Sequence, residues 1–130
     1  MTRRLRILTA AGVATISLAL VPAGAAAKSC PEFTVGKANS TSYPDGRLPA
    51  RGARATGVSC RRLRSLARAF QRGALSIPDD ARGFGEWGPS FDITHSGLDW
   101  SCRLWWVGGS GPSYKFRCRH GSRSARWSVG

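Results

Sequence analysis

The chain has 130 residues, 42% of them hydrophobic, and a formal net charge of +13 at pH 7. That length excludes more than one ordinary domain. The charge favours anionic partners: nucleic acid, acidic cell-wall polymers, anionic lipid or acidic proteins.

The chain opens with Arg3, Arg4 and Arg6, continues with an apolar run from Ile7 to Val21, and then reaches Pro22, Gly24 and Ala25-Ala26-Ala27. A charged region, an apolar region and a small-residue cleavage site, in that order, predict a secretory signal peptide over residues 1–27, cut after Ala27. The run is shorter than the about 20 apolar residues a membrane-spanning helix needs. A retained anchor is therefore not expected. Lys28 fits badly with lipid attachment at Cys30. The mature chain is then Lys28–Gly130, one domain, secreted or associated with the cell wall.

A domain of this size buries a modest core and benefits from a covalent staple. Cys30, Cys60, Cys102 and Cys118 all lie beyond the signal, and an even count in an exported chain predicts two disulfides. There is no C-x-x-C pair, and neither histidine has the usual ligand spacing to a cysteine, Cys118 and His120 being only two apart. Neither a metal nor another cofactor is expected.

The signal takes three of the 20 basic residues and none of the seven acidic ones, which leaves the mature chain at +10. Arginine supplies 17 of the 20, beside abundant alanine and glycine. A GC-rich genome produces such a composition by codon drift, so the charge has a compositional reading beside the functional one.

Residues 28–47 are polar and turn-rich, with only Phe33, Val35 and Tyr43 to bury. They predict an irregular arm tethered by Cys30. From Arg47 to Val58 an edge strand is expected, with Pro49 near its start, where an edge tolerates it. The best helix is 59–72, with Ser59 as N-cap and Gly73 at the left-handed stop. At 100° per residue, Cys60, Leu63, Leu66, Ala67 and Phe70 share one arc. Arg61, Arg64, Arg68 and Arg72 share the opposite one. Residues 73–97 are rich in glycine and proline, and read as a long connector.

The C-terminal third, 98–129, reads as a three-stranded meander. A turn centred on Ser110 pairs Cys102 with Cys118, Leu104 with Phe116, Trp106 with Tyr114 and Trp100 with His120. A two-residue turn at Gly121-Ser122 pairs Cys118 with Ala125, Phe116 with Trp127 and Tyr114 with Val129. Strand side chains alternate, so all of these share one face. The other face collects Arg103, Trp105, Lys115, Arg117, Arg119 and Arg126.

The expected fold class is α+β: one amphipathic helix packed on a small antiparallel sheet, the three-stranded meander with an extra N-terminal edge strand. The register leans to Cys102–Cys118 and Cys30–Cys60. An inward Cys60 also permits a bridge to Cys118 or Cys102, and four cysteines allow three pairings.

The segment from Gly57 to Phe70, the Trp100-x-Cys102-Arg103 stretch and the Cys118-x-x-Gly121-Ser122-Arg123 hairpin together resemble segments of small exported, disulfide-containing proteins of actinobacteria. The resemblance covers roughly residues 50–75 and 98–129. It implies the helix-plus-hairpins layout and export, and it implies no activity.

No constellation here reads as an enzyme site. His95 has Asp92 and Asp99 near it in sequence, yet reads as a loop histidine, and His120 reads as structural. Asp79-Asp80 after Pro78 reads as turn chemistry. Gly83-x-Gly85 follows no strand signature.

Binding has more substance. The helix stripe Arg61, Arg64, Arg68 and Arg72 is one basic surface. The sheet face, with Trp105 among Arg103, Lys115, Arg117, Arg119 and Arg126, is the other. Its register sets arginine against arginine, which is destabilising. The expected function is a non-enzymatic basic module, a monomer, binding an anionic polymer or membrane surface of the cell envelope. Nucleic acid would bind non-specifically in vitro. The alternative is an exported protein-binding or inhibitor domain presenting the 78–97 loop to an extracellular protein.

Overall fold

Period-two alternation of buried and exposed side chains recurs along the described strands, and it builds a sheet far larger than a meander. The computed structural model describes residues 12, 26–37, 46–107 and 113–130. Nearly all of the expected signal peptide lies outside the described residues, as do 38–45 of the arm and the turn expected around Ser110.

Eight strands and one helix follow in chain order: β1 (Lys28–Ser29), β2 (Phe33–Lys37), β3 (Arg47–Thr56), α1 (Cys60–Gln71), β4 (Arg82–Phe84), β5 (Phe91–His95), β6 (Leu98–Trp106), β7 (Tyr114–His120) and β8 (Arg123–Val129). A single 3-10 turn at Asp79–Ala81 precedes β4. The fold is α+β, with one mixed, mostly antiparallel open sheet. The strand order is β1-β3-β8-β7-β6-β4, with β2 also on β3 and β5 also on β6. Among the described strands only β4 runs parallel to its partner.

The C-terminal meander has the register that its turns predict. Cys102 opposes Cys118, Leu104 opposes Phe116 and Trp106 opposes Tyr114. Next to them, Phe116 opposes Trp127 and Cys118 opposes Ala125. The inner side chains make the core. Phe116 and Trp127 stack with centroids 5.0 Å apart and planes 11° from parallel. Phe70 of α1 sits on both, at 5.1 and 6.1 Å.

The helix ends as its sequence dictates. Ser59 Oγ accepts a hydrogen bond from the Arg62 backbone N–H at 3.1 Å, and Gly73 takes the positive φ of 77°. Its buried residues Leu63, Leu66, Ala67, Ala69 and Phe70 face β2, β3 and β8. The disulfides are Cys30–Cys60 and Cys102–Cys118, the pairing that the register favours.

Three expectations are corrected. The described part of the arm, residues 28–37, is not irregular, because β1 and β2 both pair with β3 and Val35 is buried. The pairing partner, not local propensity, makes those strands. For the same reason β3 is not an edge strand: it lies between the arm and β8, and Pro49 opposes Thr34 of β2.

The 73–97 connector also carries structure, since Phe91-Asp92-Ile93-Thr94-His95 alternates and folds back on β6. Its turn, Ser96-Gly97, has φ of 52° and 76°. Positive φ at both central residues matches the twist of a two-residue hairpin.

The Cys30–Cys60 bridge spans 30 residues of chain and ties the start of the arm to the start of α1. Replacing both cysteines by serine is expected to cost about 3–4 kcal/mol, the loop-closure entropy of such a span, read as a lowered urea midpoint. Amide exchange should quicken first in β1 and β2. Equal loss of protection in β7 would contradict this placement.

Candidate functional site

The alternation that turns Phe116 and Trp127 inward turns Arg117 and Arg126 outward. Arg103 opposes Arg117, Arg117 opposes Arg126, and Arg126 opposes Arg54. Four arginines therefore stand side by side across four adjacent strands, at the strand spacing of about 4.8 Å. Each opposed like-charge pair destabilises the sheet by about 0.2–1 kcal/mol.

Among the described residues no carboxylate forms an ion pair with any of the four. The exposed Arg51–Glu32 pair at 3.5 Å lies beside the row. Burial lowers the pKa of Arg117, and Arg119, Arg103 and Arg126 lower it further. Among the described residues nothing neutralises this positive charge.

A second row runs next to it, where Trp105 opposes Lys115 and Lys115 opposes Ser128. Trp87, from the turn after β4, meets Trp105 edge to face at 5.6 Å and 82°. The Lys115 ammonium lies 5.6 Å from the Trp105 ring centroid, and the Arg117 guanidinium 4.7 Å from that of Trp87. Both are within cation–π range.

Two glycines place Trp87. A Cβ on Gly83 would lie 2.2 Å from the Glu86 carbonyl oxygen, and one on Gly88 would lie 2.1 Å from that of Ala81. The backbone is pressed against itself here, and the Gly88 N–H donates to the Leu104 carbonyl at 3.0 Å.

Two concavities open on this face. One, of about 290 Å³, is lined by Arg103, Arg117, Arg119, Ser90 and Ser101. The other, of about 360 Å³, has Trp87, Trp105, Lys115, Arg126, Ser128 and Gly52 in its wall. Three guanidinium groups and two hydroxyls suit an anion. The Trp87 and Trp105 indoles with two cations suit a ring that carries acceptors.

All six sheet-face residues expected from the sequence stand together here. The helix stripe does not join them, because α1 covers the opposite face of the sheet. Arg68 is moreover occupied, its Nε donating to the Thr34 carbonyl at 3.1 Å and its guanidinium 5.7 Å from the Phe33 ring centroid. Arg61 and Arg72 are exposed and Arg64 is half-buried.

Sequence reasoning missed Arg54 and Trp87. Arg54 comes into line only through an irregularity between Arg51 and Arg54, for which Gly52, with φ of 60°, is the signal. Trp87 had no signal beyond the density of glycines around it.

Elsewhere, His95 Nε2 lies 3.1 Å from Ser65 Oγ. Burial lowers the His95 pKa below 6.5, and the nearby Arg72 and Arg62 lower it further. Neither Asp92 nor Asp99 reaches that ring: Asp99 instead accepts from Thr94 Oγ1 at 2.7 Å. His120 Nδ1 meets the Asp99 backbone carbonyl. Among the described residues no three His, Cys, Asp or Glu side chains gather as a metal site. Comparison with known protein families, curated proteins and solved structures finds no match for the chain.

The glycines give one expectation. Gly88→Ala should lower thermal stability and weaken the near-ultraviolet circular dichroism of the Trp87–Trp105 pair. An unchanged signal would mean that Trp87 does not depend on the turn.

His95 gives another. Its lowered pKa means that the unfolded chain protonates first as pH falls through 6.5. Stability present above that value is lost progressively down to the folded pKa. His95→Gln should flatten this part of a stability curve measured between about pH 5 and 8, and Arg72→Gln should raise the histidine midpoint in an NMR titration.

Proposed function

We propose that this protein is an exported, non-enzymatic module whose outer sheet face binds an anionic polymer of the cell envelope. The observation that carries the reading is the row Arg103, Arg117, Arg126 and Arg54, opposed in register and without a carboxylate partner among the described residues. An added polyanion would relieve the repulsion within that row, so its binding energy includes strain already present in the sheet.

The neighbouring Arg103, Arg117, Arg119 concavity supplies a site for one anionic group. Two disulfides are consistent with an extracellular protein. Nucleic acid would bind the same charge in vitro, with strong salt dependence.

A second reading, a protein-binding domain using the 78–97 stretch, draws support from Phe84. It is 71% exposed on β4 and lies 5.8 Å from Trp106. Polymer binding would not need it.

The two readings separate on charge reversal. The triple variant R103E/R117E/R126E should weaken retention on isolated, nuclease-treated cell envelope by about a hundredfold at low salt, at roughly 0.5 kcal/mol for each of six charge units. Phe84→Ser should leave it unchanged. Retention that survives the triple variant and is lost with Phe84→Ser would transfer the function to a protein partner.

A further inference from the structure

Resting on that reading, we infer that the polymer is an acidic polysaccharide, and that the concavity between Trp87 and Trp105 takes one of its sugar rings. Charge alone calls for no aromatic surface, yet the chain carries Trp87 to this place on a turn whose two glycines leave no room for a Cβ.

The concavity has the shape and polarity of a saccharide site. The half-buried indoles of Trp87 and Trp105 meet there at 82°, which makes a corner. A parallel slot would suit a flat base, whereas a corner suits a chair-shaped pyranose. The C–H face of the sugar lies on one ring and its rim abuts the other. The polar groups around it are Lys115, Arg126 and Ser128. The two cations can only donate hydrogen bonds and the hydroxyl can donate, so they match hydroxyl and carboxylate oxygens. Gly52 adds no side chain to this wall, and nothing stands within 4 Å of where its Cβ would be.

The adjoining anion site is joined to this corner through one residue. Arg117 lines the concavity with Arg103 and Arg119, and the same guanidinium lies over Trp87. A sugar in the corner and the acidic group of its neighbour beside Arg103 would both touch Arg117. A phosphate chain, an anionic lipid surface or an acidic peptide would use the arginines and leave the corner empty.

The test compares two carboxylate polymers of matched charge, an oligogalacturonate with sugar rings and polyglutamate without, titrated into the oxidised mature chain at low salt. The wild type should bind the oligogalacturonate about tenfold more tightly, the worth of one ring-on-aromatic contact. Trp87→Ala should bring the two affinities together by weakening the oligogalacturonate alone, and Trp87→Phe should restore part of the difference.

Equal affinities in the wild type, or a difference that survives Trp87→Ala, would overturn the saccharide assignment and leave the polyanion reading standing. A thymidine oligonucleotide that binds more tightly than the oligogalacturonate and depends on Trp87 would overturn it in favour of single-stranded nucleic acid. Binding of neither carboxylate polymer would overturn both readings. R103E/R117E/R126E should lose both polymers, so the charge and ring contributions are read separately.

Discussion

Phe70 seated on the stacked rings of Phe116 and Trp127 is the contact on which the rest of the molecule depends. It fixes which face of the sheet is inside, and one alternating pattern then assigns every other side chain on β6, β7 and β8. Trp100, Leu104 and both disulfide sulfurs of the meander follow the aromatic stack inward. Arg103, Trp105, Lys115, Arg117 and Arg126 have no other side to occupy. A slip of one residue in β7 would exchange the core for the charge. The outer face and the core are therefore one decision, and the Cys102–Cys118 bridge, across directly opposed residues, locks it.

How far the sequence speaks for the fold depends on the distance over which each signal acts. The meander was legible because its strands are joined by short connections, and two turn positions fix every pair. The helix was legible for the same local reasons: a serine cap, a glycine stop and an apolar arc. The arm was not, because β1 and β2 hold few apolar residues and take their order from hydrogen bonds to β3. Nor was β5, whose alternation is short and sits within a stretch dense in breakers. Of the site, the residues on β6 to β8 could be placed. Arg54 could not, since its alignment depends on an irregularity in a strand pairing distant in sequence.

The interior also carries a cost. Trp100 and Trp127 are each 2% exposed, and their indole N–H groups find no partner among the described residues. An unmet buried donor costs about 1–3 kcal/mol. Neighbouring arginines on the outer face oppose one another as well. Two disulfides and a well-stacked aromatic core stand against both penalties.

Both margins of the sheet are made from pieces. Along β3 the outer margin is β1, of two residues, followed by β2, of five, with a register irregularity inside it. Along β6 it is β4, of three residues, and β5, of five, and these run in opposite directions. An eight-stranded open sheet with long straight rims would offer a template on which another chain could add a strand. Among the described residues no uninterrupted rim exceeds five residues. Copies of the protein concentrated along a charged polymer would be pushed into contact, and their broken rims give them little to pair with.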